Sequence, residues 1–334
     1  MVKISVIDNK PTKDLDYSEL KLKILDVSVN YVNALKRILY EYIPTYAFNE
    51  ADIILENTNT FLDNTRLRER FKFLPILNIK NNIDYLEEKY YKDINFENNE
   101  RLKHPKEQHI DIVFKDYNKK EEHKAITTNN IKYYVNGKEE INPYNNKYPF
   151  LFCYLRNGEH ISCVLKSSLS VGLNDPIYQP VYHTYYYEED KGYVLVVHSK
   201  GQDNEKNLLL RCCKVAKILL ENKKKNLWDL LHEENIYNRL IYEYKQYQDP
   251  EDIKNITFEN FTLANIICEE LQNDIEHIEF AGVYKENYFD KVVHLKLRFK
   301  EKNRNDNDEY KIIIEAIDKC IKKFDEIEKE INKI

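Results

Sequence analysis

The stretch that decides the fold is residues 26–48, DVSVNYVNALKRILYEYIPTYAF. Apolar residues recur in it at i, i+3, i+4, i+7 and i+8, starting at position 35, and this spacing places them on one side of an α-helix. Asn30 precedes the run and is the expected N-cap, and Pro44 is expected to end the helix. The opposite side carries Lys36, Arg37 and Glu41. The sequence therefore predicts an amphipathic helix with a charged outer face.

Length and charge bound the class of protein. The 334 residues predict two or three domains, and a hydrophobic content of 42% suffices for a sizeable core. The net charge of -6 argues against direct DNA binding as the main role. No segment reaches the roughly 18 consecutive apolar residues of a membrane span, and the first ten residues lack the apolar core of a signal peptide. We expect no membrane association.

The cysteines and histidines give no metal-site spacing. None of the six cysteines forms a C-x-x-C pair, and the histidines between residues 77 and 147 are too widely spaced for a ligand set. Cys153 and the H-x-x-C at residues 160–163 are interpreted as buried strand residues. We therefore expect no bound metal, no cofactor and a reducing compartment.

Further elements follow from periodicity and turn signals. Strands are predicted at residues 17–29, 48–57 and 192–198, and an inserted subdomain of short elements at 77–147. Asn157-Gly158 predicts a type I′ hairpin turn. Residues 208–220 predict a helix with a wide apolar face that includes Leu208, Cys212, Val215 and Leu219. A short helix at 226–232 and a strand at 240–247 are expected after it.

The C-terminal part repeats this kind of pattern. Thr262 is expected to cap a helix carrying Leu263 and Ile267, and Gly282 is expected at a turn or bulge between strands. Residues 293–299 alternate as a half-buried strand. The last helix has apolar residues at alternating steps of four and three: Ile313, Ile317, Cys320, Phe324, Ile327, Ile331 and Ile334.

Two motifs resemble a known family. Residues 33–39 read NALKRIL, followed by Glu41, Pro44 and Thr45, and this run resembles the N-A-L-R-R-I-L and E-x-P-T-x-A signature of the alpha-like subunits of multisubunit RNA polymerases. Lys36 replaces the first family arginine, and the glutamate comes one place early. Residues 57–63, 69–76 and 172–181 resemble the segments that follow in the large partner of the alpha-like pair. Residues 262–265 (TLAN) and 279–284 (EFAGVY) resemble the small partner.

The resemblance implies a single-chain fusion of the two partners, as in the RNA polymerases of large cytoplasmic DNA viruses. The implied fold is α+β, with two alpha-like dimerisation modules that form an intramolecular pseudo-dimer and an inserted, mostly β subdomain. The implied domains are 1–56 with 182–236 for the large partner, 57–181 for the insert, and 237–334 for the small partner. A viral chain would act in the host cytoplasm and the virion; any other, in the cytosol or nucleus.

The implied role is that of a non-catalytic assembly platform for the two large catalytic polymerase subunits and a small zinc-binding subunit, without homodimer formation. The expected subunit-interface residues are Asn33, Lys36, Arg37, Glu41, Pro44, Thr45 and Arg70. The residues expected to join the two halves are Leu35, Leu39, Leu208, Cys212, Val215, Leu219, Leu263, Ile267, Ile313, Ile317, Cys320, Phe324, Ile327 and Ile331.

Two other interpretations stay open at this point. One is an enzyme that uses scattered carboxylates such as Asp63 and Glu69, which would require a cluster with perturbed pKa values in a cleft. The other is an unrelated coiled-coil scaffold, which would self-associate through residues 310–334.

Overall fold

The stretch at 26–48 forms one helix and the start of a strand in the computed structural model of the chain. Helix α1 spans Val29–Glu41, and its predicted apolar side is fully buried. The predicted N-cap Asn30 is wrong, because the helix begins earlier and Ser28 takes the cap position. The Ser28 hydroxyl makes no capping bond and donates instead to Glu269, which also accepts from the Asn30 side chain. A distant carboxylate thus sets the helix start.

The structure describes residues 2–12, 17–56, 58–79, 81–92, 94–95, 100–144, 146–232, 253–258, 261–274, 276–287, 289, 292–300 and 306–334. It is a mixed α+β fold, as predicted. In chain order the elements are β1 Lys3–Thr12, β2 Tyr17–Leu25, α1, β3 Thr45–Leu55, α2 Asn64–Lys72, β4 Ile94–Asn95, β5 Glu100–Arg101, β6 Ile110–Tyr117, β7 Lys124–Thr127, β8 Lys132–Val135, β9 Lys138–Glu140, β10 Leu151–Leu155, β11 His160–Ser170, β12 Val181–Glu189, β13 Gly192–Ser199, α3 Glu205–His232, β14 Ile253–Phe258, α4 Phe261–Gln272, β15 Ile278–Tyr284, β16 Val293–Phe299 and α5 Asp306–Lys333.

The first sheet has the strand order β1-β2-β13-β12 and is antiparallel throughout. Leu20, Leu22 and Ile24 of β2 are buried on its inner face, as their alternation predicts. The turn between β12 and β13 has Asp190 and Lys191 at positive φ (44° and 64°), which is the geometry of a tight type I′ hairpin.

The second sheet has the order β3-β11-β6-β8-β9 and encloses a second core with α2. Its strand β3 belongs by sequence to the segment 1–56, yet it pairs with β11 inside this sheet. The predicted type I′ hairpin at Asn157-Gly158 is wrong. A tight turn is present, but only Gly158 has a positive φ, and β10 pairs with β7 while β11 pairs with β3 and β6.

The third sheet has the order β14-β16-β15 and packs on α4. The alternating apolar residues of β16 are all buried, as predicted. Two local predictions are wrong. Thr262 lies inside α4, so it does not cap the helix. Gly282 lies inside β15, whose bulge falls between Ile278 and Phe280.

The first and third sheets share one topology. In each, a strand leads to a helix, then to an antiparallel hairpin, then to a long helix: β2-α1-β12-β13-α3 and β14-α4-β15-β16-α5. The spatial orders β2-β13-β12 and β14-β16-β15 are also the same. The second sheet is inserted between α1 and β12, in the first copy of this unit.

Four helices join the two units. Helix α1 contacts α3 and α4, and α5 contacts α3 and α4. Helices α3 and α5 are antiparallel, since Lys217 pairs with Asp325 at 2.8 Å and Lys224 pairs with Asp318 at 2.6 Å. Their apolar sides form the first core of the molecule, which contains residues of both units. The separate helix predicted at 226–232 is wrong, because α3 runs unbroken to His232. The strand predicted at 240–247 lies outside the described residues.

Candidate subunit interface

The outer side of α1 is charged and partly open to solvent. Arg37 has 45% of its side chain exposed and contacts Glu41 one turn later, with 3.5 Å between Nη1 and Oε1. Lys36 places its ammonium 5.3 Å from the centre of the Tyr186 ring of β12, within the range of a cation–π contact. Asn33 is half-buried on the same helix. Arg37 is therefore the most accessible of the four expected interface residues on α1.

Glu41 is held in a less polar environment than Arg37. Burial raises the pKa of its carboxyl above the ordinary value of 4.5, and the Arg37 cation opposes that rise. An exposed ion pair at i,i+4 stabilises a helix by only about 0.3–0.5 kcal/mol. The pair can therefore be exchanged for contacts with a partner at little cost.

The end of α1 is fixed by a loop that follows β11. The backbone N–H of Leu173 donates to the Glu41 carbonyl at 2.9 Å, which closes the last turn of the helix. Gly172 lies directly against this turn, and a Cβ at that position would overlap the carbonyl oxygen of Tyr40. Only glycine permits so close an approach of two backbones. The position of Gly172 in the sequence motif thus has a packing reason.

Tyr40 fastens α1 to the outer edge of the first sheet. Its hydroxyl accepts a hydrogen bond from the Thr184 backbone N–H at 2.6 Å and lies 3.3 Å from the Thr184 carbonyl, to which it donates. Both backbone groups belong to the edge strand β12. A side chain that occupies them protects the edge from pairing with another chain.

Pro44 and Thr45 lie inside the chain. Both are buried, and the Pro44 carbonyl accepts hydrogen bonds from Asn81 Nδ2 at 2.9 Å and from Arg211 Nη2 at 3.3 Å. Arg211 also donates to the Ile83 carbonyl at 2.8 Å. These contacts form the joint between the first and second cores, so the two residues serve contacts within this chain.

Arg211 is a residue that the sequence analysis missed. Its guanidinium is buried and lies 3.6 Å from Asp84 and 3.7 Å from Asp203. Burial lowers its pKa, and the two carboxylates oppose that effect. Its position on the apolar helix α3 gives one sequence signal, because a lone arginine in such a run needs buried partners.

Arg70 lies on α2, on the second core rather than on α1. Its guanidinium donates to the Phe152 carbonyl of β10 at 2.6 Å. It therefore braces α2 against β10, although the residue is exposed.

The residues expected to join the halves all lie in the first core. Twelve of the fourteen are buried, and Leu219 and Leu263 are half-buried against the same core. Polar contacts that the sequence did not reveal run beside them. Glu269 of α4 accepts from Ser28 at 2.7 Å and from Asn30 at 2.8 Å, and Glu270 accepts from the Tyr31 hydroxyl at 2.8 Å. A carboxylate at the start of α1 also interacts favourably with the positive end of the helix dipole.

Of the two carboxylates named in the enzyme interpretation, Asp63 makes a structural contact and Glu69 lies on the surface. Asp63 caps α2 by accepting from the Arg66 backbone N–H at 2.8 Å, and Glu69 is exposed on the same helix. Within the part of the chain that the structure describes, no group of three His, Cys, Asp or Glu side chains is placed to hold a metal ion. Among those residues, no helix has both the length and the apolar character required to cross a membrane.

Comparison with known proteins identifies a relative in a large DNA virus. The chain is 23% identical over 307 residues to a protein of Acanthamoeba polyphaga mimivirus named "Putative DNA directed RNA polymerase subunit R470". The match covers 84% of this chain and 80% of the mimivirus protein. No family model matches the chain.

Proposed function

We propose that this chain is a subunit of a viral DNA-directed RNA polymerase. The observation that carries the proposal is the similarity to the mimivirus protein, which spans most of both chains rather than one short motif. The two motif groups at residues 33–45 and 262–284 support it independently, because they were identified from the sequence alone.

The finer proposal is that the chain is a non-catalytic assembly platform. The matching topologies of the first and third sheets support it, since two copies of one strand-helix-hairpin-helix unit meet through α1, α3, α4 and α5. We interpret this arrangement as an alpha-like pseudo-dimer within one chain. In this proposal the large-partner unit is residues 1–56 and 182–236, the small-partner unit is 237–334, and the insert is 57–181. Strand β3 precedes the insert in sequence but adds one strand to its sheet by pairing with β11.

Fusion explains why one chain would contain both units. Linking two partners makes their pairing intramolecular, with an effective concentration in the millimolar range for a short flexible linker. The apolar side of α5 is also not available to a second copy of the chain. From Ile313 to Ile331, every residue of the apolar repeat of α5 is buried within this chain. We therefore propose that the chain forms no homodimer, which disfavours the coiled-coil scaffold.

The partners in this proposal are the two large catalytic subunits and a small zinc-binding subunit. The α1 surface around Lys36, Arg37 and Glu41 would contact the second-largest subunit. Its fixed geometry supports this role, because Tyr40 and Leu173 hold the helix against β12 and the following loop. The proposed locations are the host cytoplasm and the virion.

The experiment is affinity capture of the tagged chain from infected cells, with mass spectrometry of the bound proteins. We expect the two large polymerase subunits to be recovered with the wild-type chain. Arg37→Glu should leave the fold intact, because Arg37 is exposed, and should abolish recovery of the second-largest subunit.

The matched control is Lys322→Glu, a charge reversal at an exposed position of α5. It should leave recovery unchanged. Capture without any polymerase subunit would refute the polymerase proposal itself. Full recovery with Arg37→Glu would refute only the assignment of the α1 surface.

A further inference from the structure

A polar groove lies at one end of the second sheet, away from α1 in the sequence and unused by the function proposed above. It encloses about 1010 Å³, at the upper end of the volumes of small-ligand sites. Its walls come from the ends of β6 and β11, the loop between β6 and β7, and Glu56. The lining side chains include four lysines: Lys115, Lys119, Lys120 and Lys124.

One wall of the groove is an aromatic pair. Tyr117 and His160 are directly opposite each other on β6 and β11, and their rings stack with 6.3 Å between centroids and an interplanar angle of 26°. Tyr117 is 46% exposed. The Lys119 ammonium lies 5.8 Å from the centre of the Tyr117 ring. The partly exposed Tyr117 ring thus lies in the groove with the Lys119 ammonium close to it.

The loop that carries the lysines is held in place by a buried asparagine. The Asn118 amide donates to the Glu122 carbonyl at 2.8 Å and to the Leu155 carbonyl at 2.9 Å, and its Oδ1 accepts from the Lys120 backbone N–H at 2.9 Å. The Asn118 backbone also bonds to both Gly158 and Glu159. These bonds tie two adjacent turns together, so the groove is formed before any ligand arrives.

The charges of the groove favour one kind of ligand. Lys124 is paired with Asp116, whereas no ion pair with a described carboxylate is found for Lys115 or Lys120. Glu56 and Glu122 also line the groove, so its net charge is only slightly positive. A purely polyanionic peptide would gain little there. A ligand that combines separate phosphates with planar rings can use both the lysines and Tyr117.

We propose that this groove binds a segment of single-stranded nucleic acid, with a base stacked on Tyr117 and phosphates beside Lys115, Lys119 and Lys120. The contact is sequence-tolerant, because every base has a π-face. About three phosphate contacts predict a shallow salt dependence, with binding weakened roughly twentyfold between 50 and 200 mM salt. The groove would be an auxiliary site, in keeping with the acidic charge of the whole chain.

The test is fluorescence anisotropy with the full chain and labelled oligonucleotides of about 10 nucleotides. RNA and DNA single strands of one sequence are compared with the corresponding DNA duplex at low salt, up to about 100 μM protein, which covers the usual range of non-specific binding. We expect both single strands to bind and the duplex to bind more weakly, because paired bases cannot stack on Tyr117.

Variants separate the groove from the general surface. Tyr117→Ala should weaken binding roughly 5- to 160-fold, the range that corresponds to loss of one stacked base. The pair Lys119→Glu and Lys120→Glu should weaken it further and flatten the salt dependence. Controls are Tyr154→Ala, an exposed tyrosine outside the groove lining, and Lys138→Glu on β9 of the same sheet.

Thermal unfolding should show that all these variants are folded, since the changed side chains are exposed. Lack of binding by the wild-type chain would overturn the proposal. So would equal losses in groove and control variants, or single-strand binding that is indifferent to Tyr117→Ala. Binding of polyglutamate in place of the oligonucleotides would also overturn it and indicate an acidic protein ligand.

Discussion

Phe324 gives the sharpest test of how the two halves are joined. It lies on α5 with no exposed surface, and its ring makes an edge contact with Tyr31 of α1, with 5.5 Å between centroids. The Tyr31 hydroxyl in turn donates to Glu270 of α4 at 2.8 Å. One aromatic contact therefore connects three of the four helices, and removing it should loosen the whole first core.

The expected cost follows from the burial of the ring. Phe324→Ala removes a fully buried aromatic ring, which costs about 3–5 kcal/mol of unfolding free energy. An unfolding entropy of about 2.1 cal/mol/K per residue gives about 1.4 °C per kcal/mol for 334 residues, so the melting temperature should fall by roughly 4–7 °C. Phe324→Asp should cost more, because it places a carboxylate in an apolar core.

The assay is thermal unfolding followed by circular dichroism, with Phe73→Ala as the matched control. Phe73 is 73% exposed, so its loss should leave the melting temperature within about 1–2 °C of wild type. A double-mutant cycle of Tyr31→Ala with Phe324→Ala adds the coupling across the halves, expected at about 0.5–1.5 kcal/mol for the ring pair.

One result would refute this reasoning directly. If α5 were a tail that docks loosely, Phe324→Ala would behave like Phe73→Ala and the cycle would show no coupling. The intramolecular pairing of the two units would then lose its main physical support.

Three further predictions concern local features. Gly172→Ala should destabilise the chain by about 1–3 kcal/mol through overpacking against Tyr40, whereas Gly282→Ala meets only the mobile end of an exposed Phe280 ring and should cost less in the same urea titration. The pKa of Glu41 is raised above 4.5 in the folded chain, so its ionisation destabilises the fold as the pH rises above 4.5. Glu41→Gln should therefore raise the melting temperature at pH 7, and this gain should vanish below pH 4.5. All six cysteines are buried with raised thiol pKa values, so iodoacetamide at pH 8 should label the native chain slowly and all six after unfolding, as counted by intact-mass measurement.

The long periodic elements could be predicted from the sequence because their pattern reports burial directly. The helices at 29–41 and 208–220 and the strand at 293–299 are found where the apolar spacing places them. The exposure of Arg37 follows from the same helical spacing. The spacing of apolar residues along a helix or strand shows which side faces the core, and tertiary contacts seldom change that side.

Caps, turns and strand partners could not be predicted, because distant residues decide them. The Glu269 carboxylate accepts hydrogen bonds from the side chains of Ser28 and Asn30, so neither side chain caps α1. The Asn157-Gly158 turn has the composition of a hairpin but connects strands that pair elsewhere. The same signal at Asn136-Gly137, which the sequence analysis passed over, does make a hairpin, with both residues at positive φ.

At the joint between the cores, the residues around Pro44 make internal contacts that their motif does not suggest. Pro44 and Thr45 are buried, and the Pro44 carbonyl binds Arg211 from a helix some 170 positions later in the chain. No local pattern could have indicated that contact. The local pattern did predict that the helix ends before Pro44. Helix α1 ends at Glu41, in keeping with the effect of a proline on the residue before it.

Helix α1 is where three parts of the molecule meet, and this position bears on how a partner would recognise it. Its start is bound by Glu269 of the third-sheet unit, its end is closed by Leu173 of the loop that leaves the second sheet, and Tyr40 ties its side to β12 of the first sheet. These three contacts together hold the helix that carries Arg37. A partner that binds Arg37 on α1 therefore senses the assembled chain, and an unfolded or half-folded chain would offer it no binding surface. For an assembly platform this is a useful property, because large subunits would gather only on chains whose two halves are already paired.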